Sequence, residues 1–233
     1  MSLLSKLSLV IPTYQRQRYA LRNMRYWSGS EVTVHVLDGS EQPIPDEEMA
    51  GIAANVNYHH LPISWTARTA KAGDLVQTKY AAMLCDDELY LPDALEACIQ
   101  EMGSDETLVA CNGRRLGFQL ISNQIFAYPV FAEWANYSVP RDDPIARMIH
   151  HMQTYKLSTI YSVMRTPVWD LAWVIVDQNR KCLVYSFYVL LNMGSHRRFW
   201  LALLMNAFHS NQARWLMLPA RPLVRFRSVG FFA

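Results

Sequence analysis

Five short runs with strand character, at 6–11, 32–37, 56–61, 80–85 and 107–111, recur along the first half of the chain with helix-length stretches between them. Most are rich in β-branched or aliphatic side chains and end at turn-forming or polar residues, which is how a buried strand reads. The stretches between carry helix punctuation. Gly29 closes a helix that begins at 15, Ser64 is placed to cap 64–77, and Pro92 sits in the first turn of 92–102. An acidic start also predicts a short helix over 46–54. Alternation of this kind predicts an α/β fold with a mostly parallel, doubly wound sheet. Pro12 is expected to end the first strand, because it has no N–H for a central ladder.

In open sheets of this kind, ligands bind beyond the C-terminal ends of the strands. Pro12-Thr13-Tyr14, Asp38-Gly39-Ser40 and Asp86-Asp87-Glu88 all fall at such ends. Consecutive carboxylates repel one another. They become useful when a divalent cation bridges them to a phosphate. On an extended segment Asp86 and Glu88 point the same way and can face one Mn²⁺ or Mg²⁺, with Asp87 turned toward a ribose hydroxyl or a helix end. The other reading is a solvated acidic turn ahead of Pro92. Asp38 either accepts hydrogen bonds from a base or ribose, or opens an Asp-Gly turn. Thr13 and Tyr14 can clamp a nucleobase and Arg16 can meet a phosphate, or all three are ordinary loop and surface residues. Arg68 and Lys71 either approach a diphosphate or lie on a helix surface. Neither Gly-x-Gly-x-x-Gly nor a P-loop is present, which argues against dinucleotide and triphosphate sites.

Three segments carry a resemblance. They are Val10-Ile11-Pro12-Thr13-Tyr14 with Arg16, then Val36-Leu37-Asp38-Gly39-Ser40, then Cys85-Asp86-Asp87-Glu88 followed by Pro92. In order and spacing they resemble the family 2-type inverting glycosyltransferases of the GT-A fold, over residues 6–115. The resemblance implies transfer of a sugar from a nucleotide-diphosphate donor, a UDP-sugar by default, with Mn²⁺ or Mg²⁺. It places Pro12, Thr13, Tyr14 and Asp38 at the nucleotide and makes Asp86-Asp87-Glu88 the Asp-x-Asp metal motif, with Glu where that motif usually ends in Asp. Inverting transfer also needs a carboxylate base for the acceptor hydroxyl, which the family supplies well after the metal motif. Asp177 is the first choice, ahead of Asp142, Asp143 and Asp170. Val184 to Tyr188, where related enzymes place an acid, has none. A nucleotide-sugar-binding protein that has lost catalysis is the alternative.

Charge divides the chain. The net charge is +2, yet no Asp or Glu follows Asp177, while eight Lys and Arg do. Residues 1–177 are expected to form the GT-A-like catalytic domain, and 178–233 a basic, apolar, helical extension packed on it. The tail either meets the donor phosphates, attaches peripherally to an acidic membrane, or packs into the domain. The acceptor is left open as a glycan or a lipid-linked group. Nucleic acid is not an expected partner. The apolar tract at 182–194 is too short to span a bilayer. Four scattered cysteines without a Cys-x-x-Cys pair, and the lack of an evident leader, predict a cytoplasmic protein, with peripheral attachment at the inner membrane face left open. Histidines, including His35 and the pair His59-His60, are read as surface or satisfied core residues. The aromatics Phe126, Tyr128, Phe131, Trp134 and Tyr137 either line an acceptor groove or pack in the core.

Overall fold

The computed structural model describes residues 2–121, 124–130, 153, 160–170 and 214–217. Its strands in chain order are β1 (Leu7–Thr13), β2 (Thr33–Asp38), β3 (Val56–His60), β4 (Tyr80–Met83), β5 (Leu108–Asn112), β6 (Arg115–Ile121), β7 (Gln124–Val130), β8 (Val163–Arg165) and β9 (Arg214–Met217). The helices are α1 (Gln17–Trp27), α2 (Trp65–Leu75) and α3 (Pro92–Ser104), with a further short helix over 166–170. One sheet has the order β3-β2-β1-β4-β8-β5-β9. Pairing is parallel throughout except at β8, which is antiparallel to both its neighbours. The expected doubly wound α/β sheet is therefore present, with one reversed strand that local pattern did not reveal.

Two apolar layers clothe the sheet. On one face, Ala20, Leu21, Met24 and Trp27 of α1 and Leu95, Cys98, Ile99 and Met102 of α3 pack on Leu7, Leu9, Ile11, Val34 and Val36. The spacing of three to four residues within each helix puts one stripe against the sheet. On the other face, Ala72 of α2 and Trp169 meet Val10, Leu37, Ala81 and Met83. Alternate residues of β1 and β2 thus go to opposite layers, as a strand buried on both faces requires. Ser64 caps α2 by accepting from the Ala67 N–H, and Pro92 opens α3, both as expected.

Several local expectations are corrected. β1 continues through Pro12 to Thr13. Val10 turns its carbonyl toward β4, where it accepts from Leu84 N, so Pro12, two residues on, faces the same side. The β1–β4 ladder has ended at Val10 and Met83, and the missing N–H therefore falls where no ladder remains. Residues 46–51 form turns rather than a helix. The aromatic stretch after Gly113 opens with an antiparallel hairpin, β6–β7, separate from the main sheet. In the tail, expected to be helical, residues 214–217 instead add strand β9 beside β5. The helices expected over 142–155, 182–192 and 199–208 lie outside the described residues.

Candidate active site

The ends of β1, β2 and β4 converge as the order β2-β1-β4 demands. β1 and β4 run together only as far as Val10 and Met83. β1 then carries Thr13 forward while the chain after β4 turns at Asp86. Thr13 Oγ1 spans this fork, donating to Asp86 Oδ2 at 2.8 Å. Asn23, set in the buried face of α1, donates to the Asp86 carbonyl at 2.7 Å. Burial pushes the Asp86 carboxyl up, and the Thr13 hydroxyl and Arg16 charge only partly offset that, so its pKa stays above the ordinary value.

The three acids do not act as an extended strand. Glu88 N bonds Cys85 O across a turn at 86–87, which breaks the alternation that would have aimed Asp86 and Glu88 at one ion. Arg16 Nη2 lies 2.6 Å from Asp87 Oδ2 and 3.4 Å from Asp86 Oδ1. Glu88 faces Arg115 instead, at 3.8 Å. Among the described residues, no group of three or more His, Cys, Asp or Glu gathers around a common point. The donor chemistry nevertheless suits a hard divalent ion. Two carboxylate oxygens already surround one positive charge, the guanidinium standing in for a cation, and ions of this type are held by one or two carboxylates with phosphate oxygens completing the shell.

Asp38, fully buried at the end of β2, is held from three sides. Tyr58 OH donates to Oδ2 at 2.6 Å, Gln17 Nε2 to the same oxygen at 2.7 Å, and Ser40 N to Oδ1 at 2.8 Å. Burial raises its pKa, but these hydrogen bonds outweigh it and leave the group below the usual carboxylate range. The Ser40 bond is the turn reading of Asp38, and it coexists with a fixed negative charge at the sheet edge. Behind it, Arg68 is almost wholly buried, and its guanidinium fills the space that a Cβ on Gly39 would occupy. Its Cζ lies 6.0 Å from the centre of the Tyr14 ring. Tyr14 itself is exposed. Lys71, further along α2, is exposed and forms no ion pair among the described residues. An open cleft of about 670 Å³ lies between the start of α1, from Gln15 to Tyr19, and the segment Ser40 to Gln42.

Beside the acid turn is a cluster that sequence reasoning missed. Cys85 Sγ and Tyr161 OH are 3.0 Å apart, and Tyr90 OH donates to the carbonyls of both Met83 and Tyr161. Arg115, at the base of the hairpin, stacks on Tyr161 with 4.4 Å from Cζ to the ring centre. The hairpin leaves the sheet at this edge. Phe126 and Tyr128 on it are about half exposed, so neither is a core residue; Phe131, Trp134 and Tyr137 lie outside the described residues. Asp170 is placed at the opposite edge. Its Oδ1 approaches Gly73 near the end of α2, and Thr166, four residues earlier, bonds Thr78 and Lys79 ahead of β4. It cannot serve a reaction at the C-terminal ends of the strands. Asp142, Asp143 and Asp177 are outside the described residues. No sequence signal singled out Gln17, Asn23, Tyr58, Arg115 or Tyr161, since each is tied to the site by a tertiary contact.

This sheet, wound on both faces and with polar side chains gathered at one edge, is the doubly wound α/β arrangement that the resemblance implied. The sequence matches no protein-family model and no curated protein. In three dimensions the chain is similar to TarS 1–349 from S. aureus, with a TM-score of 0.55 and 15% identity over 92% of this chain and 60% of that one. A second S. aureus TarS structure gives 0.55 and 14% identity over 93% and 37%. The mannosyltransferase PcManGT from Pyrobaculum calidifontis, in complex with GDP-Man and Mn²⁺, aligns over 46% of this chain and 34% of its own at a TM-score of 0.38 and 13% identity, too slight a likeness to argue from. The chain spans less than two thirds of the length of each of these structures. Identities of this order carry the fold alone.

Proposed function

We propose that the protein is a metal-dependent, inverting glycosyltransferase that moves a sugar from a nucleotide-diphosphate donor, a UDP-sugar by default, to a glycan or lipid-linked acceptor. One observation carries the reading: Thr13 at the end of β1, Asp38 at the end of β2 and Asp86 in the turn after β4 meet at one edge of a doubly wound α/β sheet, each held by named hydrogen bonds. Asp38 and Tyr14 take the base and ribose, with Pro12 and Thr13 shaping the floor beneath them. Arg68 supports that floor from behind, Arg16 is the cation beside the diphosphate, and Lys71, exposed farther along α2, adds positive charge at longer range. Asp86 and Asp87 hold Mn²⁺ or Mg²⁺, with Glu88 as a third carboxylate on the same turn. The ion, when bound, supplies positive charge against the departing diphosphate. Residues 1–177 carry the chemistry and 178–233 form its basic extension. The acceptor approaches past the β6–β7 hairpin, whose exposed Phe126 and Tyr128 suit a sugar face. Asp177 is the proposed base.

The test is release of nucleoside diphosphate from a panel of nucleotide sugars with Mn²⁺, compared between wild type and Asp38→Ala. Expected is turnover on one donor and a loss of donor affinity in the variant equivalent to about 1–3 kcal/mol. A second reading, a nucleotide-sugar-binding protein without catalysis, has its own support. In the sequence no Asp or Glu follows Asp177, so the last part of the chain supplies no carboxylate base. Donor binding with no release of diphosphate, with or without acceptors, selects it. The cytoplasmic location and the peripheral membrane contact of the tail belong to the same proposal. No helix among the described residues is long and apolar enough to cross a membrane.

A further inference from the structure

We propose that Arg16 is a tethered counter-ion that holds the place of the divalent cation in the empty protein and yields it when cation and diphosphate arrive together. The inference rests on the reading of Asp86 and Asp87 as the metal-side carboxylates. A single nitrogen, Arg16 Nη2, touches both, at 3.4 and 2.6 Å. Two adjacent carboxylates without a cation repel one another, and the guanidinium relieves that repulsion while the ion is away.

The two sides of this contact differ in freedom. The Asp86 side chain is 7% exposed. Its Oδ2 is fixed by Thr13 and its carbonyl by Asn23, so it cannot follow a departing partner. Arg16 is 44% exposed and precedes α1 without a side-chain cap. It follows Gln15, whose φ of 54° turns the chain sharply at this point. In the same position its Cζ lies 4.9 Å from the centre of the Tyr19 ring. Asp86 is anchored, whereas Arg16 and the 45% exposed Asp87 are free to part from it.

A divalent ion approaching alone must displace a positive charge from between its ligands, and it gains only the difference between the two. A diphosphate changes that balance, because its oxygens offer the guanidinium a paired, charge-assisted contact of its own. Arg16 moves from carboxylates to phosphates and the ion enters behind it. Cation and nucleotide then assist each other's binding, and the assistance is equal in both directions. Arg16 is thus a positioning residue for the cation and a ligand of the diphosphate in turn.

The test measures Mn²⁺ alone by the loss of its free-ion paramagnetic resonance signal, with wild type, R16Q, R16K and D86N, then repeats each titration with uridine diphosphate. Without nucleotide, R16Q should bind Mn²⁺ about 5-fold more tightly than wild type, the scale of a half-exposed ion pair. R16K should resemble wild type, and D86N should bind none. Uridine diphosphate should tighten Mn²⁺ binding more in wild type than in R16Q. If D86N loses the ion but R16Q binds it no more tightly than wild type, the metal site stands and the exchange role of Arg16 is wrong. If wild type and R16Q both take uridine diphosphate but neither takes Mn²⁺, Arg16 is a permanent cation. That result overturns this inference and metal dependence together.

Discussion

Thr13 and Asp86, 73 positions apart in the chain, are joined by a 2.8 Å hydrogen bond across the gap where β1 and β4 diverge. Below this bond the strands share a ladder; above it they are separate walls of the site. The threonine is the last residue of β1 and the aspartate lies in the turn after β4, so the bond fixes the distance between the nucleotide side and the proposed metal side. A buried carboxylate needs such donors, because burial alone raises the free energy of its charged form.

Thr13→Val keeps the shape and removes the donor. It leaves Asp86 Oδ2 buried without its hydroxyl partner, which should lower stability by about 1–3 kcal/mol in urea unfolding. Thr13→Ser should recover most of this. A valine variant as stable as wild type would mean that the Asp86 carboxyl is held by other groups.

The division of the acid turn gives different expectations for its three members. A nucleoside diphosphate should raise the melting temperature more with Mn²⁺ than with a chelator. Asp86→Asn should abolish that increment and Asp87→Asn should reduce it. Glu88→Gln should leave most of it, since Glu88 faces Arg115 rather than Arg16. Equal loss from Glu88→Gln and Asp86→Asn would restore the alternating geometry read from the sequence.

The strand edges were legible because burial on both faces leaves a continuous apolar run, and because polar residues end each run where the ladder ends. Asp38 and Asp86 could be found for that reason. What escaped depends on neighbours. Pro12 is compatible with β1 only because β4 stops first, and no local pattern reports where another strand stops. The conformation after β4 depends on a single turn bond, Glu88 N to Cys85 O, and one turn reverses which acids pair. The hairpin was invisible to an alternation test. Leu116 and Phe118 lie on one of its faces and Phe126 and Tyr128 on the other, all exposed, so neither face is polar. Tyr58 and Gln17 reach Asp38 from elements on either side of it, a relation that only strand order creates.

His35 gives the fold an acid-sensitive element. It is buried on β2, with Nδ1 3.3 Å from Nε2 of His59. Burial first, and the neighbouring His59 second, push its pKa from 6.5 down to about 4. Between those values the unfolded chain holds the proton more readily than the folded one. The stability concerned is therefore fully present above about pH 6.5 and is lost as the pH falls toward 4. The gap corresponds to about 3 kcal/mol at its limit. Urea midpoints measured from pH 7 to 4.5 should fall less steeply for His35→Asn than for wild type. Parallel curves would mean that His35 does not remain neutral in the folded protein.

Gly39 and Arg68 should behave as one unit. The Arg68 guanidinium lies in the place of the absent Gly39 side chain, and at 2% exposure it has little room to retreat. Gly39→Ala should drive it out, at a cost of about 1–3 kcal/mol from overpacking, and should weaken nucleoside diphosphate binding by removing support from beneath Tyr14. Arg68→Ala should weaken binding similarly while vacating the space. The two changes cannot then add, because the alanine at 39 has nothing left to displace. The double variant should bind nucleoside diphosphate as Arg68→Ala does, and should be more stable than the sum of the single losses predicts. Calorimetric titration and urea unfolding of the four proteins decide the matter. Strict additivity in both measurements would show that Gly39 is required for its own backbone and not for Arg68.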